Sequence, residues 1–209
     1  MIAIVDYGIG NLASVTKAFR HAGATCLLTG DPERLRRAEL LVLPGDGAFG
    51  AAMAELTRRG LLGVLLDAVR SGTPLVGICI GMQLLFEESE EHGRHQGLGL
   101  LPGRVRRIPG PLPVPHMGWN RLRLRRPDPL FEGVAEGSHV YFVHSYYCDA
   151  PQELVLATTD YGVELAAVVR RGRVVGVQFH PEKSQGVGLR MVANVVRHAA
   201  PGAAAEVRA

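Results

Sequence analysis

The chain of 209 residues is poor in cysteine, tryptophan and lysine, with three, one and two of them, and only 6% of it is aromatic. Cys26, Cys79 and Cys148 are an odd count with no close pair. That argues against a secreted disulfide framework and against a CxxC metal or redox site. No apolar run reaches the ~18 residues of a membrane span. The N-terminus enters a short strand-like run at once, with no basic leader or cleavage site. The net charge is only +3, and no Lys/Arg run is long enough to form a nucleic-acid stripe. No internal repeat and no linker interrupts the chain. What is there is 47% hydrophobic and 21% charged, enough to bury one core without metal or disulfide staples. These features imply a soluble, cytoplasmic protein with one domain over residues 1–200 and a frayed tail over 201–209.

The first ninety residues alternate short apolar runs with helical stretches. Strands are expected at Ile2 to Val5, Thr25 to Leu28, Leu40 to Leu43 and Leu75 to Ile78. Helices are expected at Asn11 to His21, Ala51 to Arg59, Leu61 to Arg70 and Met82 to Glu88. Near-continuous apolar strands separated by helices predict an α/β fold with a mostly parallel central sheet, flanked by helices. Residues 97 to 129 are rich in Gly, Pro and Arg, with short strands near Gly103 to Arg107 and Arg121 to Arg125. From Ser138 the texture becomes β, which adds an antiparallel section. Arg170 to Arg173 (RRGR) reads as a hairpin turn, and a last helix is expected from about Val187 to His198.

Two glycine patterns follow strands. Gly8-x-Gly10-x-x-Ala13, with Asp31 downstream, and Gly45-x-Gly47-x-x-Gly50 both match a dinucleotide fingerprint. Both cannot be the fingerprint of one nucleotide-binding unit, and tight strand-to-helix turns need such glycines anyway. Turns at the ligand-binding edge of the sheet are therefore the better reading, with a nucleotide-binding module as the rival.

The most informative stretch is TPLVGICIGMQ. Cys79 follows a buried-type strand and precedes a helix, with Gly77 and Gly81 at minus two and plus two. This is a nucleophile elbow with cysteine in place of serine. The following helix aims its positive end at the sulfur, which favours thiolate. The Ile80 amide faces the place where an oxyanion would form. Cys26 and Cys148 lie in plain strand-like runs and read as structural. A thiol nucleophile needs a base, and the base an orienter. His180 ends a strand in VVGVQFHPEKSQ. Pro181 biases it toward an extended backbone, so Glu182, two residues on, can lie on the same side and hold one ring nitrogen.

GICIGMQ with HPE about a hundred residues later resembles the class I (triad) glutamine amidotransferases. DYGIGN, PGDGAFG, PHMGWN, YFVHSYY and GVQFHPEKSQ extend the likeness over nearly the whole chain, toward a branch of glutaminase subunits in histidine biosynthesis. The resemblance implies a flavodoxin-like fold, no metal, no cofactor, and glutamine as substrate. It also implies a heterodimer with a TIM-barrel cyclase subunit, which receives ammonia through a protected passage and activates the glutaminase. Cys79 would be the nucleophile, His180 the general acid/base and Glu182 its orienter. Gly45, Asp46, Gly47 and Ile80 would form the oxyanion loop, and Gln83, His144, Ser145 and Tyr146 would line the glutamine site. Asn11, Met117, Gly118, Trp119, Tyr141 and Lys183 match positions near the partner and the ammonia exit. Asp46 departs from what an oxyanion site wants, since a carboxylate there would repel the developing charge; it is expected to point to solvent. The rival readings are a glutaminase feeding another synthase and a stand-alone cysteine amidase or peptidase.

Overall fold

The computed structural model describes residues 1–200 and 202. The expected tail at 201–209 lies, apart from Gly202, outside the described residues. The apolar runs become strands because they have no polar face to offer water: β1 (Ile2–Val5), β3 (Leu40–Gly45) and β4 (Leu75–Cys79) are buried at every residue. With β2 (Cys26–Thr29) and β14 (Val174–Val177) they build a parallel sheet in the order β2-β1-β3-β4-β14. This is the flavodoxin-like strand order, whose crevice lies where the order reverses between β1 and β3. The sheet continues antiparallel through β13 (Glu164–Arg171), β12 (Val155–Asp160) and β9 (Arg123–Leu124). The expected hairpin at Arg170 to Arg173 is the β13–β14 turn, with Gly172 at φ +58°.

Helices cover the sheet in two groups. α1 (Leu12–His21) packs on α6 (Gln185–Ala199), while α2 (Pro32–Arg36) and α3 (Phe49–Arg58) both pack on α4 (Leu61–Arg70). α1 starts at Asn11, whose side chain accepts from the Ser14 amide at 3.3 Å, and it buries Val15, Ala18 and Phe19 at helical spacing. Asp31 caps α2 by accepting from the Glu33 amide at 2.9 Å, so its carboxylate serves a helix start rather than a ribose.

One expected helix is corrected. The stretch Met82 to Glu88 is not a helix: α5 is only Ile80–Leu84, and Phe86–Ser89 is a strand, β5. The carbonyls of Leu84, Leu85 and Phe86 accept from the amides of residues 98 to 101, at 2.8–3.1 Å. Those long-range bonds outweigh the helical propensity of the two glutamates. β5 belongs to a sheet with β6 (His95–Gln96), β7 (Leu101–Arg107) and β11 (Tyr146–Asp149). The single strand expected at Arg121 to Arg125 is split: β8 (His116–Arg121) pairs with β10 (His139–His144), and β9 follows after the buried Leu122.

Candidate active site

β4 ends at Cys79, which stands at φ +55°, ψ −113° before α5 begins. A non-glycine residue at positive φ is strained, and such strain concentrates where a side chain must be presented. The flanking glycines are required by space. A Cβ on Gly77 would lie 2.4 Å from the Gly81 carbonyl oxygen, and one on Gly81 would lie 1.8 Å from that of Leu43. The elbow thus exists only because both positions lack a side chain. The sulfur lies 3.9 Å from the Val143 carbonyl oxygen and 3.8 Å from Gln178 Nε2.

β14 is the parallel neighbour of β4, with Val177 opposite Ile78. Its continuation carries Gln178 and His180 to the sulfur. His180 is 2% exposed, and its Nδ1 is 2.8 Å from Glu182 Oε1, on a carboxylate that is itself 1% exposed. The His180 backbone amide donates to Tyr141 O at 2.9 Å, and Ser184 Oγ donates to His180 O at 2.7 Å. The backbone of His180 is thus held at both its amide and its carbonyl. Burial alone would lower its affinity for a proton. The Cys79 sulfur and the Glu182 carboxylate outweigh burial and push the pKa up to about 10, so the ring is an imidazolium at neutral pH. Its Nε2 has no hydrogen-bond partner.

Asp46 does not simply point to solvent as expected. Its side chain is 44% exposed, but Oδ1 lies 4.0 Å from His180 Nε2. The loop bearing it is anchored from below, where Tyr7 Oη donates to Pro44 O at 2.8 Å. A Cβ on Gly45 would sit 2.7 Å from that hydroxyl and 2.9 Å from Ile80 Cβ, so the loop closes tightly on the elbow. Gly47 takes φ +81°. Burial, followed by the charges of Asp46 and Cys79, raises the Tyr7 pKa well above the usual phenol range.

A cavity of about 240 Å³ opens at the sulfur, bounded by Asp46, Gly47, Ile80 and Gln83 on one side and by His144, Ser145 and Tyr146 on the other. The expected oxyanion-loop and glutamine-site residues are therefore brought together, with Gly45 just beneath. Gln83 Nε2 donates to Tyr146 O at 3.0 Å and to Gln178 Oε1 at 3.1 Å. Sequence reasoning missed three residues here. Gln178 donates to the sulfur; the i, i+2 spacing that paired His180 with Glu182 also pointed back to it. Tyr7 braces the loop. Glu91, buried on the cavity wall, accepts from the Phe49 amide at 2.6 Å, and only the fold brings those two together.

The residues expected at a partner surface fall on one strand pair and on two loops. Trp119 and Tyr141 are register partners across β8 and β10, their rings 6.0 Å apart and edge to face. Met117 and Trp119 are exposed apolar side chains, 62% and 47% exposed, and Gly118 between them is at φ +129°. Lys183 is exposed in the turn after His180. Asn11 is committed to capping α1. Among the described residues no group of three or more His, Cys, Asp or Glu is placed to hold a metal ion, and no helix is long and apolar enough to cross a membrane.

Fold and site together define a flavodoxin-like α/β protein carrying a cysteine elbow, a type built for covalent acyl chemistry at the carboxyl edge of its sheet. Comparison with known proteins narrows this. The family model "Glutamine amidotransferase class-I" matches residues 3–199. The imidazole glycerol phosphate synthase subunit HisH of Geobacillus kaustophilus is 56% identical over 94% of this chain and 96% of that protein. The subunit of the same name from Syntrophotalea carbinolica is 52% identical over 93% and 98%. A solved structure described as a glutamine amidotransferase superposes with a TM-score of 0.74 at 21% identity, covering 94% of this chain and 97% of the other. The chain belongs to the class-I glutamine amidotransferases and, within them, to the HisH family.

Proposed function

We propose that the protein hydrolyses glutamine to glutamate and ammonia as the glutaminase subunit of an imidazole glycerol phosphate synthase, in histidine biosynthesis. The observation that carries this is the elbow sulfur at the end of β4 with the buried His180 of the neighbouring strand's continuation held by Glu182, and one cavity opening at the sulfur. Residues 1–200 are taken as one amidotransferase domain acting in the cytoplasm. With its proton held by His180, the sulfur attacks the side-chain amide carbon of glutamine. A C–S bond forms and the carbonyl π pair moves onto oxygen, beside the Ile80 amide and the loop of Gly45 to Gly47. His180 gives its proton to the amide nitrogen, the C–N bond breaks, and ammonia leaves. Water then attacks the thioester carbon while His180 takes its proton. The C–S bond breaks, the product carboxyl gives its proton to water and glutamate departs, leaving the sulfur and protonated His180 as they began. Glu182 fixes which ring nitrogen faces the reaction and stabilises the imidazolium.

Free ammonia would be wasted. The name shared by the relatives implies a second subunit, and the exposed Met117 and Trp119 with Tyr141 beside them offer it an apolar seat close to His180. We assign that seat to a TIM-barrel cyclase, in a heterodimer that passes ammonia across the interface to form imidazole glycerol phosphate and aminoimidazole carboxamide ribotide. The test is ammonia release from glutamine by the purified chain, alone and with the cyclase and its nucleotide ligand, beside Cys79→Ala. The expected result is weak release alone, strong release with the liganded partner, and none from the variant. Strong release without a partner would make the chain a stand-alone amidase, and release by Cys79→Ala would remove the nucleophile.

A further inference from the structure

β8 alternates in an unusual sense. Its apolar residues Met117 and Trp119 face outward, while the polar His116 and Asn120 face in. His116 is 3% exposed and lies between the rings of Phe142 and Tyr161, with centroids 4.7 and 4.2 Å away. Such a histidine must satisfy both ring nitrogens inside the protein. Asn120 settles one of them. Its Oδ1 accepts from the Arg121 amide at 2.8 Å, and its Nδ2 donates to Asp160 O at 2.8 Å, so the second Nδ2 hydrogen is the one facing His116 Nε2 at 3.1 Å. His116 Nε2 is thereby an acceptor and its proton sits on Nδ1, 3.0 Å from His144 Nε2. His144 in turn carries its proton on Nδ1 and donates to Tyr146 O at 2.8 Å. Burial lowers the pKa of His116 to about 4. It also lowers that of His144 to about 3, against the pull of the Tyr146 carbonyl. Both rings are neutral and each has one available tautomer. Among the described residues the charged group acting on the pair is His180; Asp160 contributes only its backbone oxygen.

The chain of donors ends on a carbonyl that also takes Gln83 Nε2. With Tyr146 O and Gln178 Oε1 using the hydrogens of Gln83 Nε2, the Gln83 Oε1 is a buried acceptor with no partner, on the cavity wall. We propose that Asn120, His116 and His144 form a one-way hydrogen-bond relay that holds the Tyr146 carbonyl and, through it, the Gln83 amide, so that Gln83 presents an acceptor to an N–H group of the substrate. Asn120 and His116 are positioning residues: neither touches the cavity, and both lie on the inward face of the strand that bears Trp119. This rests on the glutaminase reading.

The experiment measures kcat and KM for glutamine on the complex with its cyclase, from pH 6 to pH 8. His116→Phe keeps the stacked ring but cuts the relay. KM is expected to rise about tenfold, the size of one lost buried hydrogen bond, with kcat within about twofold. His116→Gln can accept from Asn120 and donate to His144, and should bring KM back to within about threefold of the parent. Asn120→Asp places an acceptor opposite an acceptor. The new carboxylate beside Nε2 draws a proton onto His116 well above pH 4, and the relay survives only while that proton is held, so KM should climb about tenfold from pH 6 to pH 8 beyond any change in the parent. A KM profile for Asn120→Asp parallel to the parent would overturn the relay. So would equal losses of kcat and KM in His116→Phe and His116→Gln, the pattern of damaged packing. Failure of the parent complex to hydrolyse glutamine would instead overturn the functional reading, and the relay's role with it.

Discussion

At the scale of single residues, the site depends on one ring held between the Cys79 sulfur and the Glu182 carboxylate. Glu182→Gln keeps the shape but offers His180 Nδ1 a neutral partner, so glutamine turnover by the complex should fall about 10²- to 10⁴-fold. The same pair has a stability signature. The folded-state pKa of His180, about 10, lies above the ordinary 6.5, so the folded protein holds a proton that the unfolded chain releases. That stabilisation is complete below about pH 6.5 and is lost as pH rises toward 10. Thermal melts of the parent should therefore decline across that window, and those of Glu182→Gln should decline less. The meeting of Cys79, His180 and Glu182 was legible in the sequence, because Gly-x-Cys-x-Gly and His-Pro-Glu each carry a local geometric reason. Tyr7 and Glu91 were not, because each acquires its partner from a distant segment, Pro44 and Phe49.

Elements were readable where burial is on both faces and unreadable where pairing is decided elsewhere. The parallel strands are continuous apolar runs, and their bounds shift by only a residue or two between expectation and structure. β5 was missed because FEES looks like a helix continuation until the backbone of residues 98 to 101 takes its hydrogen bonds. β8 was missed because its hydrophobic alternation is inverted: the buried face holds His116 and Asn120, and the apolar face is open. The elbow makes a sharp prediction at this scale. Gly81→Ala would drive a Cβ into the Leu43 carbonyl and should lower stability by about 3 kcal/mol or more, read as a fall in melting temperature. Gly63, in the exposed middle of α4, would meet nothing within 4 Å. Gly63→Ala should add about 0.5–1 kcal/mol by helix propensity.

For the whole molecule, the buried neutral histidines set an acid limit. His116 and His144 take up protons only near pH 4 and 3 when folded, whereas the unfolded chain takes them up near 6.5. Their contribution is complete above about pH 6.5 and drains away as pH falls toward those values. Melting temperature should drop through that range, and His116→Phe should flatten the drop. The joining of β4 to β14 has a consequence in time. Cys79 is supplied early in the chain, while His180, 101 residues later, reaches it only once β14 has slotted between β4 and β13. A ribosome must therefore add those 101 residues beyond Cys79 before the thiol meets His180. A half-made chain holds the nucleophile without the means to use it, so glutamine is safe from the protein during its own synthesis.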